Sequence, residues 1–136
     1  MKILLVDDEE DIVAELGSFL RRRGHAIVGA GDVQAALHAL DSDGPFDVVL
    51  TDLRMPGGSG LDVVRACRDR PEPRPISLMM SGHAGCAEIA QARADGALRF
   101  FPKPVALHAL LGTLADIELP RLRSQDAPLL PQASAP

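Results

Sequence analysis

The sequence predicts an α/β protein, a (βα)5 doubly wound parallel sheet. Five short, continuous apolar runs alternate with segments whose apolar residues recur at helical spacing. Such alternation implies parallel strands, right-handed crossovers and helices on both faces of one sheet. Four of the runs also stop at residues able to do chemistry. Lys2–Val6 stops at Asp7-Asp8, Asp47–Thr51 at Asp52, Ile76–Met80 at Ser81, and Ala97–Phe101, one proline later, at Lys103. In a parallel sheet these ends share one edge, which is where open α/β sheets bind ligands.

The elements follow in order. Ile3–Val6 is a run expected of a strand covered on both faces. Ile12, Val13, Leu16, Phe19 and Leu20 mark the first helix, which Gly24 ends. Ala26–Ala30 is the second strand. Val33, Ala36, Leu37 and Leu40 mark the second helix, which runs out near Asp43-Gly44-Pro45. Val48–Leu50 is the third strand. Met55 to Gly60 is expected to be a loop, because of its density of Gly and Pro. Leu61, Val64 and Cys67 suggest a third helix, closed by Pro71, Pro73 and Pro75. Ile76–Met80 is the fourth strand. Ala84–Arg93 is an Ala-rich fourth helix with a thin apolar face of Cys86, Ile89 and Ala90. Ala97–Phe101 is the fifth strand, and Leu107, Leu110, Leu111, Leu114 and Ile117 form the clearest helical stripe. The domain is expected to span residues 1–118. Residues 119–136, rich in Pro, Ala, Ser and Gln, read as a disordered tail or linker.

Composition narrows the function classes. At 136 residues and 46% hydrophobic the chain suits one domain with its own core. No apolar stretch approaches the length of a membrane span, and Lys2 leads directly into a strand-like run, so no secretory leader is expected. Cys67 and Cys86 have no metal-type spacing and read as reduced thiols of a cytoplasmic protein. A net charge of −5 argues against nucleic acid as a direct partner. The chain has no Trp or Tyr to stack on a base or a flavin.

Asp7, Asp8 and Asp52 drawn together would repel one another unless protonated or neutralised by a cation. Any one of them alone would read as a turn residue or helix cap. Three together, as oxygen-only ligands, favour Mg²⁺, Mn²⁺ or Ca²⁺, and Mg²⁺ is commonly held by one or two carboxylates with water and phosphate. Asp52, ending the central run, can act as a nucleophile towards phosphorus and form an aspartyl phosphate. Phosphoryl transfer needs charge neutralisation more than covalent help, and Lys103 can supply it. The chain has twelve arginines and two lysines, Lys2 and Lys103. A compact ammonium on a flexible stem therefore stands out between Pro102 and Pro104. Ser81 can donate its hydroxyl to a phosphoryl oxygen, with Gly82 leaving space beside it. Phe100 taken alone reads as core. Arg21-Arg22-Arg23 suits the negative end of a helix, and His25, His38 and His108 show no ligand spacing.

Four pieces in this order closely resemble the receiver domains of response regulators in two-component signalling. They are Val6-Asp7-Asp8-Glu9; Asp52-Leu53-Arg54-Met55-Pro56 with Gly60; Met80-Ser81-Gly82; and Gly96 through Pro104. The resemblance covers roughly residues 1–117. It implies a flavodoxin-like strand order, 2-1-3-4-5. It implies that Asp52 accepts a phosphoryl group from a phosphohistidine on a sensor histidine kinase or phosphotransfer protein. Asp8, Asp52 and the Arg54 backbone carbonyl would hold Mg²⁺ (or Mn²⁺), with Asp7 acting through water. Lys103 would pair with the phosphoryl group, Ser81 would move to meet it, and Phe100 would swing inwards. The Lys103–Pro104 bond would be cis. The surface of the fourth helix, fifth strand and fifth helix would then carry the signal to an output domain, a partner or a second copy.

The chain departs from the family pattern in places. Gly58 replaces a bulkier apolar residue, which implies a looser loop. Pro102 is unusual before the lysine and suits only an edge strand. Arg54 and His83 occupy positions that tune dephosphorylation in the family. A phosphatase of the haloacid-dehalogenase type is the alternative from another class. It would place its nucleophile after the first strand and carry a substrate-holding cap, so a signalling module that is not a conventional enzyme is preferred.

Overall fold

The computed structural model describes the backbone of residues 1–126 and the side chains of residues 1–120. One compact unit runs from Met1 to Pro104, and a second begins at Val105. The first contains β1 (Lys2–Val6), α1 (Glu10–Arg21), β2 (Ala26–Ala30), α2 (Val33–Ser42), β3 (Val48–Asp52), α3 (Gly60–Arg68), β4 (Ile76–Ser81), α4 (Cys86–Ala94) and β5 (Ala97–Pro102). All five strands pair in parallel in the order β2-β1-β3-β4-β5. This is the order that the resemblance implied.

The register explains the layers. Leu4 lies beside Val28 and Val49, so all three point to one face. There they meet Ala36 and Leu40 of α2 and Val63 and Cys67 of α3. Further across the same face Met79 and Ala97 meet Val64 of α3 and Ala92 of α4. Leu5 points the other way, towards α1. A side chain built at Gly17 of α1 would stand 3.6 Å from Ile27 and 3.8 Å from Leu5. Gly29 of β2 leaves room for Val13, whose Cγ1 would be 2.8 Å from a β-carbon there. Leu4, Leu5, Leu50 and Leu78 are no more than 1% exposed. Each is worth roughly 1.5–3 kcal/mol over its exposed state.

Local signals place the helix starts. Asp32 caps α2 by accepting the Ala35 N–H at 2.7 Å. Ser59 caps α3 by accepting the Leu61 N–H, while Asp62 accepts the Ser59 N–H in return. The arginine run ends α1 as expected, with Arg22 donating to the Ser18 carbonyl and Arg23 resting over the Phe19 ring.

The structure corrects several boundaries. β3 continues to Asp52, so the carboxylate stands on the last strand residue. The expected loop at residues 55–60 contains a small antiparallel ribbon, with Arg54 opposite Ser59 and Met55 opposite Gly58. Pro56-Gly57 makes its turn, Gly57 taking φ +77° as a type II turn requires. The density of Gly and Pro therefore closes a ribbon rather than preventing one. The ribbon is not slack at Gly58 either. A β-carbon there would lie 2.7 Å from Val33 Cγ2, so α2 fills the space that a larger residue would take. Gly58→Leu is expected to cost about 1–3 kcal/mol, and Val33→Ala in the same chain to recover part of it. Urea midpoints of the three proteins check this, and an unchanged Gly58→Leu midpoint would refute it.

α4 starts at Cys86 rather than Ala84, and Cys86 is exposed while Ala92 is the buried residue of this helix. β5 is an edge strand, which accommodates Pro102. In the second unit α5 runs Leu107–Asp126, with Leu110, Leu114 and Ile117 buried. The helix passes Pro120 into residues expected to be irregular. Leu, Arg and Gln in that stretch favour helix, and composition outweighed one missing N–H. The rest of the expected tail, 127–136, lies outside the described residues. No helix among the described residues is long and apolar enough to cross a membrane.

Candidate functional site

The parallel register brings the strand ends to one edge. β1 delivers Asp7 and Asp8, β3 delivers Asp52, β4 delivers Ser81, and β5 delivers Lys103 just past its last residue. The Lys103 N–H donates to the Ser81 carbonyl at 3.0 Å, which fixes the two strand ends side by side. Asp8, Glu9, Asp52, Arg54, Ser81, Gly82, His83 and Lys103 line a crevice of about 390 Å³.

Lys103 is the hub. Its Nζ lies 2.7 Å from Asp7 Oδ2, 3.0 Å from Asp52 Oδ2 and 3.3 Å from Glu9 Oε1. Asp7 is fully buried and Asp52 nearly so, whereas Asp8 and Glu9 are exposed. One carboxylate oxygen each from Asp7, Asp8 and Asp52 lies within 4.8 Å of the others, so the three form a group that could hold a metal. The buried Asp7 Oδ2 pairs with Lys103 in charge but receives no aligned hydrogen bond. An all-oxygen donor set with a buried oxygen short of a partner fits a hard divalent cation.

The electrostatics follow from this crowding. Burial pushes the Asp52 carboxyl above its ordinary value, and the Asp7 charge adds to the shift, against the pull of Lys103 and of the Leu53 N–H. For Lys103, burial opposes the charge, but the Asp7 and Asp52 carboxylates beside it outweigh that, so the ammonium is held above the usual lysine range. Its stabilising effect is complete at neutral pH and is lost only above the ordinary lysine value. Lys103→Met leaves Asp7 and Asp52 buried without a counter-charge. The expected cost without metal is about 3 kcal/mol, with Mg²⁺ restoring part of it. Urea unfolding with and without Mg²⁺ measures both, and no loss without metal would refute the hub.

The β3–α3 connection fixes Asp52. The Leu53 N–H donates to Asp52 Oδ1 at 2.8 Å, and the Thr51 hydroxyl donates to the Asp52 carbonyl. Gly60 passes so close that a β-carbon there would lie 2.0 Å from that carbonyl oxygen. Ser81 is buried and its Oγ accepts the His83 N–H at 3.2 Å. Phe100 is half-buried against the Met79 and Val64 cluster on the α4 face. The Lys103–Pro104 peptide is cis, as expected. Arg54, which lines the crevice with Asp52, donates to both Glu88 oxygens at 2.6 and 2.8 Å and to the His83 carbonyl at 3.2 Å.

Two acids, Glu9 and Glu88, join the strand-end residues that the sequence singles out. Glu9 follows directly after Asp8 and could have been added to the cluster. Glu88 gave no signal beyond a charge in the first turn of a helix, because its partner is 34 residues away.

A parallel sheet wound on both faces, with three carboxylates and one ammonium at its strand ends, defines the class: an α/β protein whose crevice could hold a divalent cation. The family model described as the response regulator receiver domain matches residues 3–115. The response regulator protein PilR of Pseudomonas aeruginosa is 36% identical over 129 residues, covering 94% of this chain and 28% of that protein. A response regulator receiver protein from Pseudomonas putida is 30% identical with a TM-score of 0.79, over 85% of this chain and 95% of that one. A response regulator protein from Burkholderia pseudomallei, solved with a phosphorylated aspartic acid, calcium ion and citrate, is 28% identical. Its TM-score is 0.75, over 93% of this chain and 72% of that one.

The chain belongs to the response regulator receiver domain family, whose members are signalling modules of phosphorylation-based two-component systems. It spans about half or less of the length of the curated relatives it matches.

Proposed function

We propose that this chain is a phosphorylation switch in which Asp52 accepts a phosphoryl group from a phosphohistidine on a sensor histidine kinase or phosphotransfer protein. The observation that carries this reading is the placement of Asp52: it ends the central strand, 3.0 Å from Lys103 and within the Asp7–Asp8 group. An Asp52 oxygen forms a bond to phosphorus as the phosphorus–nitrogen bond of the donor breaks. The imidazole nitrogen departs with the electron pair of that bond and takes up a proton from solvent. Asp8, Asp52 and the Arg54 backbone carbonyl would hold Mg²⁺ or Mn²⁺, with Asp7 acting through water. The cation supplies charge neutralisation for the phosphoryl oxygens.

Lys103 exchanges part of its carboxylate contact for a phosphoryl oxygen. Ser81, whose Oγ accepts the His83 N–H, moves so that its own O–H donates to another, and Phe100 follows into the space. Arg54 and His83 border the acceptor and set how readily water reaches the acyl phosphate. The α4–β5 surface then changes population and passes the signal to an output domain, a partner or a second copy. The phosphorylated aspartic acid in the Burkholderia pseudomallei relative supports the reading. Incubation with acetyl phosphate and Mg²⁺, followed by intact mass, tests it. One phosphoryl adduct that a chelator prevents is the expected result. A protein that stays unmodified, or an adduct that forms equally without divalent cation, would overturn it.

A further inference from the structure

Arg54 and Glu88 make a contact that the phosphotransfer site does not itself require. One guanidinium joins the segment two residues beyond Asp52 to the first turn of α4, through both Glu88 oxygens, and to the β4–α4 connection, through the His83 carbonyl. Glu88 Oε1 also accepts the Gly85 N–H at 3.1 Å, so the same carboxylate caps α4. That connection begins at Ser81, whose Oγ accepts the His83 N–H and so is tied to the backbone of the connection. α4 itself is lightly anchored, with Ala92 as its buried residue. Arg54 borders the acceptor crevice on one side and, with Glu88, a second cleft of about 270 Å³ on the other.

We propose that Glu88 is a positioning residue for the phosphotransfer described above: it holds Arg54 as a latch that keeps the β4–α4 connection in its unphosphorylated arrangement. The proposal rests on Asp52 being the acceptor. A phosphoryl group on Asp52 places new negative charge beside Arg54 and competes with Glu88 for the guanidinium. Release of Glu88 frees the first turn of α4 and the stretch that must move for Ser81 to reach the phosphoryl group. The side chains are 61% and 35% exposed, so the latch is weak and screened by salt. It biases a population by a few-fold.

Glu88→Gln isolates the latch, because the amide oxygen still accepts the Gly85 N–H while the charge for Arg54 is lost. With acetyl phosphate and Mg²⁺, the variant is expected to form adduct about threefold faster than wild type. High salt is expected to bring the wild-type rate towards it. Backbone amides of residues 83–88 are expected to exchange faster in the variant. In an Arg54→Ala background, Glu88→Gln is expected to change nothing. Equal rates for wild type and Glu88→Gln would overturn the latch. The same acceleration in the Arg54→Ala background would also overturn it, leaving simple repulsion between Glu88 and the anionic donor as the cause. An unmodified wild type would instead overturn the acceptor assignment, and the latch with it.

Discussion

Asp52→Asn is expected to abolish the phosphoryl adduct while leaving a more stable fold in the absence of metal. The two effects have one cause. Asp52 is buried beside Asp7, and burial followed by that neighbouring charge pushes its carboxyl up. The folded protein therefore binds a proton at Asp52 more tightly than the unfolded chain does. Stability from this group is complete below the ordinary aspartate value and is lost as pH rises through the raised folded value. Once pH exceeds that folded value the ionised carboxylate is a net cost, and the amide removes it. The amide oxygen of the substituted side chain can still accept the Leu53 N–H, while Lys103 keeps Asp7 and Glu9.

Magnesium is expected to reverse the ranking. A cation that binds only the folded state stabilises it by about 2.7 kcal/mol at a hundredfold excess over its dissociation constant, and removing one ligand weakens that gain. Thermal melts of both proteins across pH, with and without Mg²⁺, and intact mass after acetyl phosphate, measure every part of this. An adduct on Asp52→Asn, or a variant less stable than wild type at neutral pH without metal, would contradict it.

Gly60→Ala is expected to displace Asp52 without removing a polar group. The added β-carbon would lie 2.0 Å from the Asp52 carbonyl oxygen and 3.1 Å from Thr51 Oγ1, and backbone cannot yield as a side-chain tip can. Alanine favours a helix over glycine by up to about 1 kcal/mol. Forcing a methyl group into a filled space costs about 1–3 kcal/mol, occasionally more, so the collision wins. Relief comes from moving either the start of α3 or the end of β3. A shift of the second kind carries Asp52 away from Lys103, and a misplacement of about 1 Å can slow a positioned reaction about a hundredfold. A lower urea midpoint and a slower adduct rate are both expected. A Gly60→Ala protein as stable and as fast as wild type would remove Gly60 from the site.

Much of this was legible in the sequence because its signals are local. Continuous apolar runs at β1, β3 and β4 mark strands covered on both faces. The residue types at their ends announced the cluster of Asp7, Asp8, Asp52, Ser81 and Lys103, given only that the strands are parallel. The misread parts depend on partners distant in the chain. Pro56-Gly57 looked like loop, but whether it closes a ribbon depends on Arg54 meeting Ser59. Gly58 looked like a gap because Val33, which fills it, lies on another helix. Cys86 matched a helical stripe, yet the face of α4 that meets the sheet carries Ala92.

The amino-acid order by itself determined the alternation of strand and helix, the parallel sheet and the set of residues at its carboxyl edge, since periodicity and turn chemistry act over a few residues. Tertiary packing alone decided which oxygens reach Lys103, how closely Gly60 passes the Asp52 carbonyl and which acid holds Arg54. Those are distances between separate strands and helices, and they exist only once burial has brought the elements together.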